Sequence, residues 1–110
     1  MRKAKVILDQ EKLLISSEIL RALAHPLRLK ILEFIDNNDS INVNKIYNTL
    51  KLEQSITSQH LRILRINGLV ITKRDGKYIH YSVNYDGIKN AVDSVNNFLA
   101  LTESEKNSVN

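Results

Sequence analysis

The sequence contains no cysteine, which excludes disulfides, thiolate metal sites and thiol redox switching. It also has no apolar run that approaches the roughly 20 residues needed to span a bilayer. The apolar run near the N-terminus, residues 6–8, is far too short for a signal peptide. From these absences we expect a soluble, cytoplasmic protein with no membrane partner.

The sequence also lacks the patterns that carry catalysis. There is no nucleophile–base pair, no glycine-rich phosphate loop and no cluster with metal-ligand spacing. The acidic turn at residues 36–40 is not a calcium loop, because its sixth position is Ile41 and its twelfth is Tyr47, where such a loop needs glycine and glutamate. We therefore predict that the protein is not an enzyme and needs no cofactor or metal.

What the chain does have is positive charge in one segment. The net charge is +4 and the sequence pI is about 9.4. Residues 54–81 carry five cations and one anion, whereas residues 82–110 carry two cations and four anions. This concentration of positive charge favours binding of a phosphate backbone by the central segment.

The length of 110 residues predicts a single domain over residues 1–110. Hydrophobic spacing predicts that it is mainly α-helical with one small β-hairpin. Asp9 and Asn42 are the expected N-caps of the first and third helices, and Ile41 adds one short strand residue. We expect residues 1–8 and 103–110 to be flexible ends. The predicted helices span residues 9–24, 26–36, 43–50, 54–66 and 85–101, and the strands, joined by Asp75-Gly76, span 69–74 and 77–83.

The fourth helix has a polar stripe at spacings of three and four residues, opposite Leu61 and Leu64. Hydroxyl and amide groups allow a helix to approach base edges, and arginine suits guanine or phosphate. The alternative is an ordinary amphipathic helix with a solvated face. The stripe consists of Ser55, Ser58, Gln59 and Arg62.

Three cations surround the tip of the predicted hairpin, at Lys73, Arg74 and Lys77. Cations on a projecting loop can neutralise phosphates or enter the minor groove. The alternative is a hairpin whose charges only protect its edges from pairing with other strands. Tyr78 and Tyr81 fall on opposite strand faces and are interpreted as packing residues.

Three segments together resemble the ArsR-type family of winged-helix repressors: ALAHPLRLKILEFI (22–35), LKLEQSITSQHLRILRINGLV (50–70) and RDGKYIHYSV (74–83). The resemblance implies a winged helix-turn-helix with five helices and a two-stranded wing. It further implies a homodimer formed through the first and last helices, a fourth helix that reads an inverted-repeat operator in double-stranded DNA, and repression released by an inducer.

Carried over by position, the resemblance assigns residues to three surfaces. The recognition helix contributes Gln54, Ser55, Ser58, Gln59, His60 and Arg62. The wing contributes Lys73, Arg74 and Lys77. The dimer interface contributes Leu13, Leu20, Val92, Val95, Phe98 and Leu99.

The chain departs from the family pattern in its recognition helix and in its sensing sites. Thr57 stands where the family usually has an apolar residue, and Ile56 where a small or polar residue is common. The usual cysteine or histidine metal sites are absent, so the inducer, if there is one, is an unidentified small molecule or protein. A second hypothesis is a winged-helix protein-interaction module that docks through its last helix.

Overall fold

The structure is a computed structural model that describes the backbone of residues 10–108 and the side chains of residue 11 and residues 14–97. This part of the chain forms five helices and a small three-stranded sheet, whose strands are interspersed among the helices along the sequence. The helices are α1 (Gln10–Leu23), α2 (Pro26–Asn38), α3 (Val43–Leu50), α4 (Gln54–Ile66) and α5 (Tyr85–Ser108), and the strands are β1 (Ile41–Asn42), β2 (Val70–Asp75) and β3 (Tyr78–Val83).

The predicted bounds of α3 and α4 are confirmed, and those of the other helices differ at their ends. The last helix continues to Ser108 instead of ending at residue 101, so the helical backbone includes most of the segment that we expected to be frayed. No proline or glycine interrupts residues 102–108, and the segment contains the helix formers glutamate and lysine. The predicted flexible end at residues 1–8 and the predicted cap Asp9 lie outside the described residues.

The hairpin is confirmed, but its turn is displaced by one residue from the predicted Asp75-Gly76. Asp75 pairs with Tyr78, so the two-residue loop is Gly76-Lys77. Gly76 has a φ of 63°, and a glycine with positive φ at the first loop position is the signature of a type II′ turn. This arrangement leaves Asp75 in the extended conformation of a strand.

The sheet gains a third strand from the short β1. Ile41 pairs with Tyr81 and Asn42 pairs with His80, which places β3 between β1 and β2. Asn42 is also the N-cap of α3, since its Oδ1 accepts a hydrogen bond from the backbone N–H of Lys45 at 2.9 Å. Through Asn42, the hairpin is thereby attached directly to α3, the first helix of the helix-turn-helix that α3 and α4 form.

The hydrophobic core lies between α2, α3, α4 and the base of the sheet. Every helix contributes one or two buried aliphatic side chains to it, and the partly buried ring of Tyr81 packs against it. The core consists of Ala22, Ile31, Ile35, Ile41, Ile46, Leu61, Leu64, Leu69, Val70, Val83 and Ala91. Among the described helices, none is both long and apolar enough to cross a membrane.

Candidate nucleic-acid interface

The buried face of α4 sets which of its side chains point outward. Thr57, Leu61 and Leu64 are at most 1% exposed and recur at spacings of four and three residues, which is one face of a helix. The hydroxyl of Thr57 donates a hydrogen bond to the backbone carbonyl of Glu53 at 2.9 Å. This bond satisfies the polar group at a position where an apolar residue was expected.

The opposite face of α4 presents the predicted polar stripe to solvent. All four members of the stripe are exposed, and so is Gln54 at the first position of the helix. The stripe therefore has the exposure that contact with base edges requires. Its members are Ser55, Ser58, Gln59 and Arg62.

The N-terminus of α4 is also open. Its N-cap residue, Glu53, makes no side-chain capping hydrogen bond, so the first N–H groups of the helix have no side-chain acceptor from that residue. Such groups can bind the oxygens of a phosphate. The preceding Lys51 adopts the left-handed conformation, with φ 55° and ψ 52°, and so provides the sharp turn between α3 and α4.

His60 does not share the exposed stripe with the other predicted recognition-helix residues. Its imidazole is half-buried between α4 and the start of α2, with its ring centroid 4.7 Å from that of His25. Its Nδ1 lies 3.3 Å from a terminal guanidinium nitrogen of Arg28. His60 therefore lies on α4, as predicted, but its side chain is less exposed than those of the stripe.

The environment of His60 disfavours its protonated form. Burial, then the nearby His25, then the Arg28 guanidinium lower the pKa of His60 below the ordinary histidine value. His60 is therefore neutral at physiological pH, and its Nδ1 accepts the hydrogen bond that Arg28 donates. A neutral and half-buried imidazole is a poor phosphate ligand.

His25 and Arg28 were not predicted to take part in this site. The Nδ1 of His25 accepts a hydrogen bond from the N–H of Leu27 at 3.2 Å, so His25 caps α2. His25 and His60 are 35 positions apart, and no periodicity or motif in the sequence links them.

The wing presents its three predicted cations to solvent. Lys73, Arg74 and Lys77 are all exposed. Lys73 pairs with His80 and Arg74 pairs with Ile79, so the two neighbouring cations point to opposite faces of the sheet. The Nε of Arg74 also donates to the carbonyl of Gly76 at 3.2 Å.

Three other residues that the sequence analysis singled out can now be placed. Tyr78 is 45% exposed and Tyr81 packs on the core, in agreement with their assignment to opposite strand faces. Ile56 is 40% exposed and precedes His60 by one helical turn, so it flanks the polar stripe instead of lying within it.

The predicted dimer interface is described only in part. Leu20 and Val92 are 41% and 46% exposed, and Val95 is half-buried. Helices α1 and α5, which carry these residues, pack against each other. The side chains of Leu13, Phe98 and Leu99 lie outside the described residues.

Metal-ligating side chains do not cluster in the described part of the chain. No group of three or more histidine, cysteine, aspartate or glutamate side chains has an arrangement that could hold a metal ion there. Among the described side chains, the pair of His25 and His60 has no third metal-ligating partner.

A helix-turn-helix followed by a basic hairpin, with an exposed polar stripe on the second helix, defines a winged helix-turn-helix DNA-binding regulator. The family described as "Bacterial regulatory protein, arsR family" matches residues 25–72. The chain is a member of this ArsR family.

Individual relatives agree with this assignment. The chain is 37% identical to the transcriptional repressor PagR of Bacillus anthracis over 81 residues, which are 73% of this chain and 80% of that protein. It is 33% identical to the transcriptional activator HlyU of Vibrio cholerae over 75 residues, 68% of each chain. The crystal structure of NolR from Sinorhizobium fredii superposes with a TM-score of 0.69 at 31% identity, covering 86% of this chain and 96% of that one.

Proposed function

We propose that this regulator is a cytoplasmic homodimer that represses transcription by binding an inverted-repeat operator. The observation that carries the proposal is the juxtaposition of two exposed surfaces. One is the polar stripe on α4, and the other is the basic hairpin. Side chains that can reach base edges would supply sequence discrimination, while cations beside them would bind the backbone of any duplex.

The dimeric state is supported by apolar side chains that one subunit leaves exposed. Leu14 is 65% exposed, Ile15 51% and Val92 46%. Burying such side chains against a second copy would remove them from water, at about 25 cal/mol for each Å² of apolar surface. A two-fold axis would then place the two α4 helices about 34 Å apart, one turn of DNA.

The dimer can be tested by sedimentation with a matched pair of variants. Leu20→Glu introduces a charge on α1 in the proposed interface, and Leu29→Glu introduces the same charge on α2, where the leucine is 46% exposed. Leu20→Glu should produce a monomer, whereas Leu29→Glu should sediment as the wild type. A wild-type protein that is monomeric at all concentrations would contradict the dimer.

The DNA-binding proposal is tested by selecting duplexes from a random-sequence library. We expect the selected sequences to contain a two-fold repeat. Gln59→Ala with Arg62→Ala should relax discrimination between the selected and random duplexes, because these side chains lie on the stripe. Lys89→Ala, which removes a charge from α5, is the control. It should leave the ratio of the affinities for selected and random duplexes unchanged.

Failure to bind any duplex at moderate salt would reject the DNA-binding proposal and favour a protein-interaction module that docks through α5. The direction of regulation needs a separate assay, because PagR is named a repressor and HlyU an activator. A reporter gene placed behind a selected operator should be less active when the protein is present. An inducer, either a small molecule or a protein, would restore reporter activity.

A further inference from the structure

One arginine connects three helices of this fold. From the first turn of α2, the Nε of Arg28 donates to the carbonyl of Ala22 and a terminal nitrogen donates to the carbonyl of Arg21, both at 2.8 Å. These carbonyls belong to the last turn of α1, where backbone acceptors have no partner within the helix. The other terminal nitrogen reaches His60 Nδ1 at 3.3 Å.

The two ends of this connection have different roles in the regulator. Helix α1 belongs to the proposed dimer interface, whereas α4 carries the polar stripe. Arg28 spans them with one rigid, planar group, so its three bonds restrain the position of His60 relative to the end of α1. Because His60 lies on the side of α4 next to α2, this restraint limits rotation of α4 about its own axis.

The imidazole of His60 also contacts His25. The ring of His25 is anchored by the hydrogen bond from the N–H of Leu27, and the two rings contact each other at an interplanar angle of 56°. The ionisable groups that face His60 are thus His25 from the α1–α2 junction and Arg28 from α2. Both are cationic when protonated, and no carboxylate among the described side chains acts on His60.

We propose that Arg28 is a positioning residue for DNA reading. It fixes the orientation of α4 relative to α1, the helix of the proposed dimer interface, through a hydrogen bond to unprotonated His60. The proposal rests on the DNA-binding function proposed above. Protonation of His60 removes the acceptor at Nδ1 and places a second cation beside the guanidinium. The bond then breaks, α4 is free to rotate, and operator affinity falls.

The direction of this pH effect is diagnostic. A histidine that contacts phosphate gains a positive charge on acidification and strengthens DNA binding. A histidine whose protonation releases α4 weakens binding instead. The pKa of His60 lies below the ordinary value, so the loss should occur below about pH 6.5.

The first experiment compares the wild type with His60→Asn. The carboxamide oxygen of asparagine can take the place of Nδ1 and does not titrate, so this variant should retain operator binding at pH 7.5. Between pH 7.5 and 5.5 the wild type should lose operator affinity relative to His60→Asn by about tenfold, within the usual range of coupling between sites. The ratio of the two operator affinities isolates the pH dependence that requires the His60 imidazole.

His80→Asn is the matched control on the wing, and it should keep the wild-type loss. If the ratio of the operator affinity of the wild type to that of His60→Asn does not depend on pH, the positioning role alone is overturned. If that ratio rises on acidification, the positioning role is also overturned and His60 is assigned to phosphate contact. A wild-type protein that binds no duplex at any pH would overturn the DNA-binding function and the positioning role with it.

The second experiment tests Arg28 directly. In Arg28→Met, the pKa of His60 measured by NMR should rise, because the hydrogen bond and the neighbouring cation are both lost. The preference for operator over random duplex should fall by about tenfold, while binding to random duplex changes little. Arg28→Lys retains the charge but cannot hold all three acceptors in fixed geometry, so its preference should also fall.

An unchanged His60 pKa and an unchanged operator preference in folded Arg28→Met would overturn the proposal. Should that variant fail to fold, the NMR tautomer of wild-type His60 decides. A proton on Nε2 and an unprotonated Nδ1 would support the hydrogen bond from Arg28. A proton on Nδ1 would contradict that hydrogen bond.

Discussion

A Cβ atom on Gly87 would overlap the backbone carbonyl oxygen of Gly68. The first turn of α5 therefore packs directly on the turn that ends α4. Asn84 reinforces this contact, because its Nδ2 donates to the same carbonyl at 2.9 Å and its Oδ1 accepts from the N–H of Gly87 at 3.1 Å. The last helix is thus held against the C-terminal end of the helix that carries the polar stripe.

Gly87→Ala should destabilise the fold even though alanine is the better helix former. The propensity gain of about 1 kcal/mol in a helix interior is opposed by an overlap with backbone, for which overpacking typically costs about 1–3 kcal/mol or more. Denaturant unfolding should show a net loss of stability. Asn90→Ala, at an exposed site on the same helix, is the control, and equal stability of the two variants would contradict the close contact.

Thr57→Val should be nearly neutral in stability. The carbonyl of Glu53 keeps the N–H of Thr57 as a donor at 3.0 Å, so removing the hydroxyl leaves no buried acceptor without a partner. Thr57→Ser keeps the hydroxyl but removes a buried methyl group, which should cost about 1 kcal/mol. If the valine variant is the less stable of the two, the hydroxyl contributes more than its geometry implies.

The stability of the protein should fall at alkaline pH, where Tyr85 loses the proton that it donates to Asp36. Its hydroxyl donates a hydrogen bond to Asp36 Oδ1, joining the start of α5 to the end of α2, and this bond raises the pKa of Tyr85. Because the pKa of Tyr85 is raised in the folded state, the hydrogen bond contributes fully to stability below the unfolded-state pKa of about 10. Its contribution to stability disappears as the pH rises through the folded-state pKa.

The test is unfolding of the wild type and Tyr85→Phe at pH 8 and at pH 11. The wild type should be the more stable at pH 8, and the difference should shrink at pH 11. Tyr78→Phe is the control, since the Tyr78 hydroxyl makes no hydrogen bond to the described residues. A difference that grows with pH would have the wrong sign for the proposed bond.

The wing cations should differ in their effects on DNA binding. Each phosphate contact that is lost should reduce the slope of log affinity against log salt by about 0.9. Because Lys73 and Arg74 point to opposite faces of the sheet, we expect only one of Lys73→Ala and Arg74→Ala to change the slope by that amount. Equal changes would indicate that the tip twists so that both faces meet the duplex.

Local patterns in the sequence were sufficient for most of the elements and for the polar stripe. Hydrophobic spacing and the cap Asn42 located α3, and Asp75-Gly76 located the hairpin. These signals act through hydrogen bonds and burial within one or two turns of chain, so they can be read from neighbouring residues. The turn register shifted because Gly76, and not Asp75, occupies the first loop position, where the backbone has a positive φ.

Only the tertiary structure decided which way His60 faces. Its spacing from Gln59 and Arg62 is compatible with the edge of the stripe, but the approach of α2 to α4 places the imidazole against His25 and Arg28 instead. The contact of Gly87 with Gly68 has the same origin. Such contacts depend on how helices distant in sequence cross one another, and the composition and periodicity of one helix carry no information about that crossing.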